Sequence, residues 1–106
     1  MGPAILTADE VPDPTKLVLT TWVNGEQRQK AVVADLIFDI PTLIEAISAV
    51  ITLEPGDVIA TGTPSGVGYA RKPDPLFLAP GMTVEIEVEG IGVLRNSIAD
   101  DPAFAR

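Results

Sequence analysis

The sequence contains no cysteine and no histidine. The first absence removes disulfides and thiolate chemistry. The second removes the commonest general base and the commonest metal ligand. Basic side chains are also few, 7 Lys and Arg against 15 Asp and Glu, for a formal net charge of −8. That balance argues against nucleic acid and against an anionic membrane surface as partners, since both are bound through basic patches. It selects no partner in their place, because an acidic surface serves solubility first. No apolar run approaches the roughly 20 residues that cross a bilayer as a helix. The N-terminus shows no secretory signal pattern, so the chain reads as cytoplasmic. No repeat of fixed period is visible.

What is present is punctuation. Ten prolines and nine glycines in 106 residues divide the chain into short elements. This length makes one domain or part of one. Met1 to Leu6 holds a strand-like apolar run, and Ala8 to Pro14 a proline-set turn region. Leu17 to Val23 is β-prone, with Leu17, Leu19, Thr21 and Val23 on one face and Val18, Thr20 and Trp22 on the other. Asn24-Gly25 is a strong type I′ hairpin signal, and Gln27 to Val33 is the expected return strand. A helix is expected near residues 41–52, with Asp39 or Thr42 as its cap and Pro41 in its first turn. Leu43, Ile44, Ala46, Ile47, Val50 and Ile51 give it a one-sided apolar face. Thr83 to Glu89 alternates apolar and acidic residues, and Val93 to Ala99 follows a glycine turn as the last strand. The tail from Asp100 to Arg106 is expected to fray. The pattern predicts a β-rich α+β fold with one helix and no βαβ alternation.

The stretch with most chemical content is Gly56 to Gly68, GDVIATGTPSGVG. Val58-Ile59-Ala60 reads as a short buried strand entered from the turn at Glu54 to Asp57. Thr61 to Gly68 then packs three glycines, one proline and three hydroxyls into eight residues. Glycine lets backbone approach another group closely and adopt positive φ, and proline fixes φ and removes a donor. Such a loop can present N–H and O–H groups to a small oxyanion or carboxylate at Thr61, Gly62 and Thr63. It can equally be a turn whose hydroxyls satisfy the local backbone.

Five segments in order, GPAILTADEVPDP, LTTWVNGEQRQ, ADLIFDIPTLIEAIS, TLEPGDVIATGTPSGVG and FLAPGMTVEIEVEGIGVLRN, resemble the C-terminal half of the fumarylacetoacetate hydrolase family. The TGTPSGVG loop and short connectors are similar to its 2-hydroxyhepta-2,4-diene-1,7-dioate and 5-carboxymethyl-2-hydroxymuconate isomerase branch. The resemblance implies a rolled mixed β-sheet, of which residues 1–106 would form the C-terminal part of the catalytic domain. It implies metal-dependent hydrolysis, decarboxylation or isomerisation of 2-oxo or 1,3-dicarbonyl acids, as in the catabolism of aromatic compounds or amino acids. The implied metal is Mg²⁺ or Mn²⁺, and Thr63 is implied as a contact to a substrate carboxylate or keto oxygen.

The same resemblance places the metal carboxylates, a substrate-polarising lysine and a lid histidine and glutamate upstream of Gly2-Pro3-Ala4-Ile5. No catalytic residue and no metal ligand is therefore expected in this chain, which alone is expected to be inactive. Glu85-Ile86-Glu87 imitates a Glu-x-Glu metal pair, but it continues to Glu89 on what reads as a solvent face. Asn24, Glu26, Arg28 and Gln29 read as polar hairpin residues, and nothing in the sequence selects Arg28 or Arg71 as a substrate partner. Trp22 and Phe38 read as apolar anchors in a core or subunit interface. A homo-oligomer, dimer or larger, is expected because a partial roll leaves open strand edges. The competing reading is a non-catalytic β-rich association module left by truncation.

Overall fold

The computed structural model describes residues 1–103. Its framework is one sheet of four strands: β1 (Val18–Val23), β2 (Glu26–Val32), β3 (Thr83–Val88) and β4 (Gly92–Ser97). Their spatial order is β2-β1-β3-β4 and every pairing is antiparallel. One helix, α1 (Ile40–Ser48), lies between β2 and β3 in the chain. The fold is the expected β-rich α+β class, and the sheet does not close on itself.

The β1–β2 hairpin forms where the Asn24-Gly25 signal puts it. Asn24 has φ 49° and Gly25 φ 78°, the two positive values a type I′ turn requires. Asn24 also ties the turn to the third strand. Its side-chain carbonyl accepts from the Thr83 N–H at 2.8 Å, and its own N–H donates to the Thr83 carbonyl at 2.9 Å. Asn24→Val should therefore lower stability by about 1–3 kcal/mol, combining the left-handed backbone cost with a lost hydrogen bond. Asn24→Gly should recover the backbone part only. Denaturant unfolding at one fixed protein concentration checks both; equal losses in the two variants would refute the division.

Central strand β1 carries the only buried side chains among the described residues: Thr20, Thr21 and Val23. Val23 faces Val84, and Thr21 faces Ile86 across β1–β3, so the apolar residues of β3 lie on the face that Val23 shares. On the opposite face Thr20 is paired with Lys30 of β2 and Glu87 of β3. Glu85 and Glu87 are half-buried rather than freely solvated, and Glu85 pairs with Arg95 of β4 at 3.7 Å.

Three expected elements differ. Val58-Ile59-Ala60 is not a strand, and Val58 is 68% exposed. The Ala4-Ile5-Leu6 run also pairs with nothing, and Ile5 lies in solvent. β-Branched residues favour a strand only where a neighbouring strand offers a hydrogen-bonding ladder, and neither run has one within the described residues. The helix is shorter than residues 41–52, ending at Ser48. Asp39 caps it, accepting from the Thr42 N–H at 2.9 Å. Hydrogen bonds from the Thr42 hydroxyl and then its N–H hold the Asp39 carboxyl below the usual carboxylate range. The cap is thus complete at neutral pH and weakens only as pH falls through that lowered value. The expected fraying at Asp100 to Arg106 falls partly outside the described residues.

The chain exposes 8298 Å², against about 5,700 Å² for a compact monomer of its mass. Its radius of gyration is 16.3 Å, against about 13 Å for a compact domain of this length. No side chain is fully buried among the described residues. Helix α1 and the turn after it show why: Ile40, Leu43 and Ile47 are half covered while Ile44, Val50 and Ile51 face solvent. Among the described residues no helix is long and apolar enough to cross a membrane.

Candidate functional site

Strand β2 is the edge against which the glycine-rich loop lies. Thr21 pairs with Gln29 but Trp22 pairs with Gln27, so Arg28 is the extra residue of a β-bulge. Gln29 then donates from its side-chain amide to the Pro64 carbonyl at 3.0 Å, a half-buried bond spanning 35 residues of sequence. Two residues further on, Gly66 has φ 102°, and a Cβ there would lie 2.0 Å from the Arg28 carbonyl oxygen. Only glycine fits this approach. Gly68 makes a similar contact with the Leu76 carbonyl, and the Leu76 N–H donates to the Gly68 carbonyl at 2.9 Å. The loop is thus pinned at both ends of its Pro64–Gly68 part, and Thr61, Gly62 and Thr63 project from it into solvent.

These three residues line a cavity of about 480 Å³. Its other walls are the end of β2, the turn after it and the start of α1, with Leu19, Leu36, Phe38 and Leu43 as the apolar side and Lys30 as the cation. Thr63 offers an N–H and a hydroxyl and Gly62 an N–H, whereas Pro64 offers no donor. An apolar cleft with backbone and hydroxyl donors along one wall and a lysine at its rim suits a small acid. Lys30 has no motif that singles it out in the sequence; it is found because the return strand brings it to the TGTP segment. Phe38, expected as an anchor, borders this cavity and is 61% exposed. Trp22 is half-buried on β1.

A second cavity, of about 360 Å³, lies on the other side of the loop, walled by Thr21, Val23, Leu76, Phe77 and Met82 with Arg28 at its edge. Arg28 is 14% exposed, pairs with Glu26 at 3.4 Å, and leaves its Nε without a partner. Glu26 also holds Arg71 at 3.3 Å, which fastens the 68–76 segment to the hairpin. Arg28 and Arg71 are therefore engaged with Glu26 and lie away from Thr61–Thr63.

The carboxylates do not assemble a metal site. Among the described residues no three of Asp and Glu come close enough together to hold an ion, and Glu85 is engaged with Arg95. The donor set does not fit a divalent metal.

The model of the fumarylacetoacetate (FAA) hydrolase C-terminal family matches residues 1–99. The oxaloacetate tautomerase YisK of Bacillus subtilis is 48% identical over 98 residues, 92% of this chain and 32% of that protein. Two solved structures superpose well. The maleylpyruvate hydrolase of Sphingobium sp. SYK-6, in complex with manganese(II) ion and pyruvate, matches with TM-score 0.80 and 46% identity over 91% of this chain and 33% of its own. The 5-carboxymethyl-2-hydroxymuconate δ-isomerase of Mycobacterium smegmatis matches with TM-score 0.70 and 50% identity over 80% of this chain and 31% of its own. The chain spans about a third of the length of these relatives.

Proposed function

The chain belongs to the fumarylacetoacetate hydrolase family, and on that footing we propose that it forms the substrate-binding wall of a hydrolase, isomerase or tautomerase of 2-oxo or 1,3-dicarbonyl acids. The observation that carries this reading is the placement of Thr61–Thr63. A bulged strand holds the loop from behind, and the three residues face a cavity with an apolar wall and Lys30.

A 2-oxo acid presents a carboxylate and an adjacent keto oxygen, both acceptors only. The Thr63 hydroxyl and N–H are donors held at a fixed spacing, and Lys30 supplies the counter-charge. Donors fixed in place stabilise charge that develops on the keto oxygen without first reorganising. The apolar wall of Leu36, Phe38 and Leu43 takes the carbon body and thins the water around it. Metal chemistry, which the manganese complex of the maleylpyruvate hydrolase supports for the family, would require carboxylates from outside these residues. The binding wall and the metal ligands are then contributed by different segments of the catalytic unit.

Thr63→Val tests the reading in a catalytically competent assembly that includes this chain. Removing a hydrogen bond to a charged oxygen costs roughly 1.5–3 kcal/mol, about tenfold or more in kcat/KM. The melting temperature should barely change, since Thr63 is exposed. An unchanged kcat/KM with a lowered melting temperature would assign Thr63 to loop structure instead. Lys30→Met should raise KM for a 2-oxo acid, and more at low ionic strength than at high, because an exposed charge is screened by salt. A KM independent of both the substitution and the salt would remove Lys30 from the site.

A further inference from the structure

We infer that Gln29 is a positioning residue for the substrate loop: its side-chain amide and the Gly66 contact clamp the Pro64–Gly66 segment onto the β2 bulge and so set where Thr63 stands. This rests on reading Thr61–Thr63 as the substrate wall.

Gln29 lies on an edge strand, where a glutamine would ordinarily be solvated. Here it is half-buried and spends its donor on the Pro64 carbonyl at 3.0 Å. That carbonyl belongs to the residue directly after Thr63. It is part of the Pro64–Ser65 peptide, so the bond holds that peptide plane against the strand, and only a few backbone torsions separate it from Thr63. Proline narrows the freedom of those torsions further, since its φ is fixed and Thr63 is held to extended backbone before it. Gly66 supplies the second grip. Its missing Cβ lets the loop backbone rest against the Arg28 carbonyl.

The β-bulge makes both grips possible at once. In an unbulged strand Arg28 and Gln29 would alternate across the sheet in strict register with β1. The extra residue opposite Thr21 and Trp22 breaks that register. The Arg28 carbonyl and the Gln29 side chain can then meet the same loop two residues apart. The following residue, Lys30, falls into the wall of the cavity that Thr63 lines. Three consecutive residues of one strand thus carry the loop's backbone seat, its tether and the site's cation.

Gln29→Met and Gln29→Glu keep the side chain's length and remove its donor. The experiment measures amide hydrogen exchange across the loop, with the amides of β1 as an internal reference for the folded sheet. Protection at Ala70, Arg71 and Leu76, whose N–H groups donate to Val67 and Gly68 at the seated end of the loop, should fall about threefold to tenfold in Gln29→Met, the span that one neutral hydrogen bond allows. It should fall further in Gln29→Glu at neutral pH, because a carboxylate repels the Pro64 carbonyl. Protection in β1 should hold in both. A role in mere space-filling would leave the two variants equal, and equal values would overturn the inference. So would unchanged loop protection, or a parallel loss in β1. In wild type a nuclear Overhauser contact between the Gln29 amide protons and Pro64 or Ser65 is expected, and its absence also counts against the clamp. Kinetics of Gln29→Met in a competent assembly separate this inference from the one beneath it. A raised KM and lowered kcat/KM support positioning. A loosened loop with unaltered kinetics would keep the clamp and remove Thr63 from the substrate site.

Discussion

Purified alone, the 106-residue chain is expected to elute as a dimer or larger species, with light scattering well above its 11.1 kDa. The exposed area is the reason. It exceeds that of a compact monomer of the same mass by about 2,600 Å², and a standard interface takes about 800 Å² from each partner. The excess is apolar where it matters: Ile37, Phe38, Val50, Ile51, Val58 and Phe77 are each at least 60% exposed. Among the described residues strand β4 pairs only with β3, so its outer edge offers unpaired N–H and C=O groups. Edge β2 is partly shielded by the loop that Gln29 and Gly66 hold there. Association should therefore run through β4 and the apolar face rather than through β2. A charge of −8 opposes it at long range, but salt screens that repulsion within about 10 Å at 0.1 M. Val93→Lys on β4 should shift the equilibrium towards monomer. A sharp monomer peak with cooperative unfolding in the wild type would show that the fold closes its own core, and the area argument would fail.

The second large effect is the difference between this chain alone and a competent assembly. Alone, it should show no metal-dependent turnover of oxaloacetate or of an acylpyruvate, and no tight binding of Mn²⁺ by calorimetry. The described residues bring no three carboxylates together, the sequence has no histidine, and one member of the Glu85/Glu87 pair is engaged with Arg95. Supplying in trans the remaining two-thirds of a relative such as the Bacillus subtilis tautomerase should restore activity if the wall and the metal ligands lie on separable segments. Activity then depends on Thr63 from this chain. Mn²⁺-dependent turnover by the chain alone, lost in a Glu85→Gln, Glu87→Gln double variant, would overturn both the division of labour and the assignment of that strand. The alternative reading, a non-catalytic association module, expects self-association but no restoration in trans.

Local chemistry made part of this molecule readable from its sequence. Asn24-Gly25 dictates its own turn because two successive positive φ values exclude most other residues. Asp39-Ile40-Pro41 starts a helix because the cap and the proline act within one turn. The alternation from Thr83 to Val88 makes a strand whichever partner it finds. The TGTP loop is visible as a shaped segment because its glycines and proline have few uses elsewhere. Other features belong to the tertiary structure alone. Val58-Ile59-Ala60 has strand-forming residues but no ladder to join. Arg28, Gln29 and Lys30 look like three ordinary polar residues of an exposed hairpin. Their separate roles come from one bulge, which is a mismatch of register between two strands. A register is a relation between segments, and no residue of either strand states it. The approach of Gly66 to Arg28 and the tether from Gln29 to Pro64 join parts of the chain more than 30 residues apart. Short-range preferences fixed the elements of this protein, and the packing between them decided which residues stand at the site.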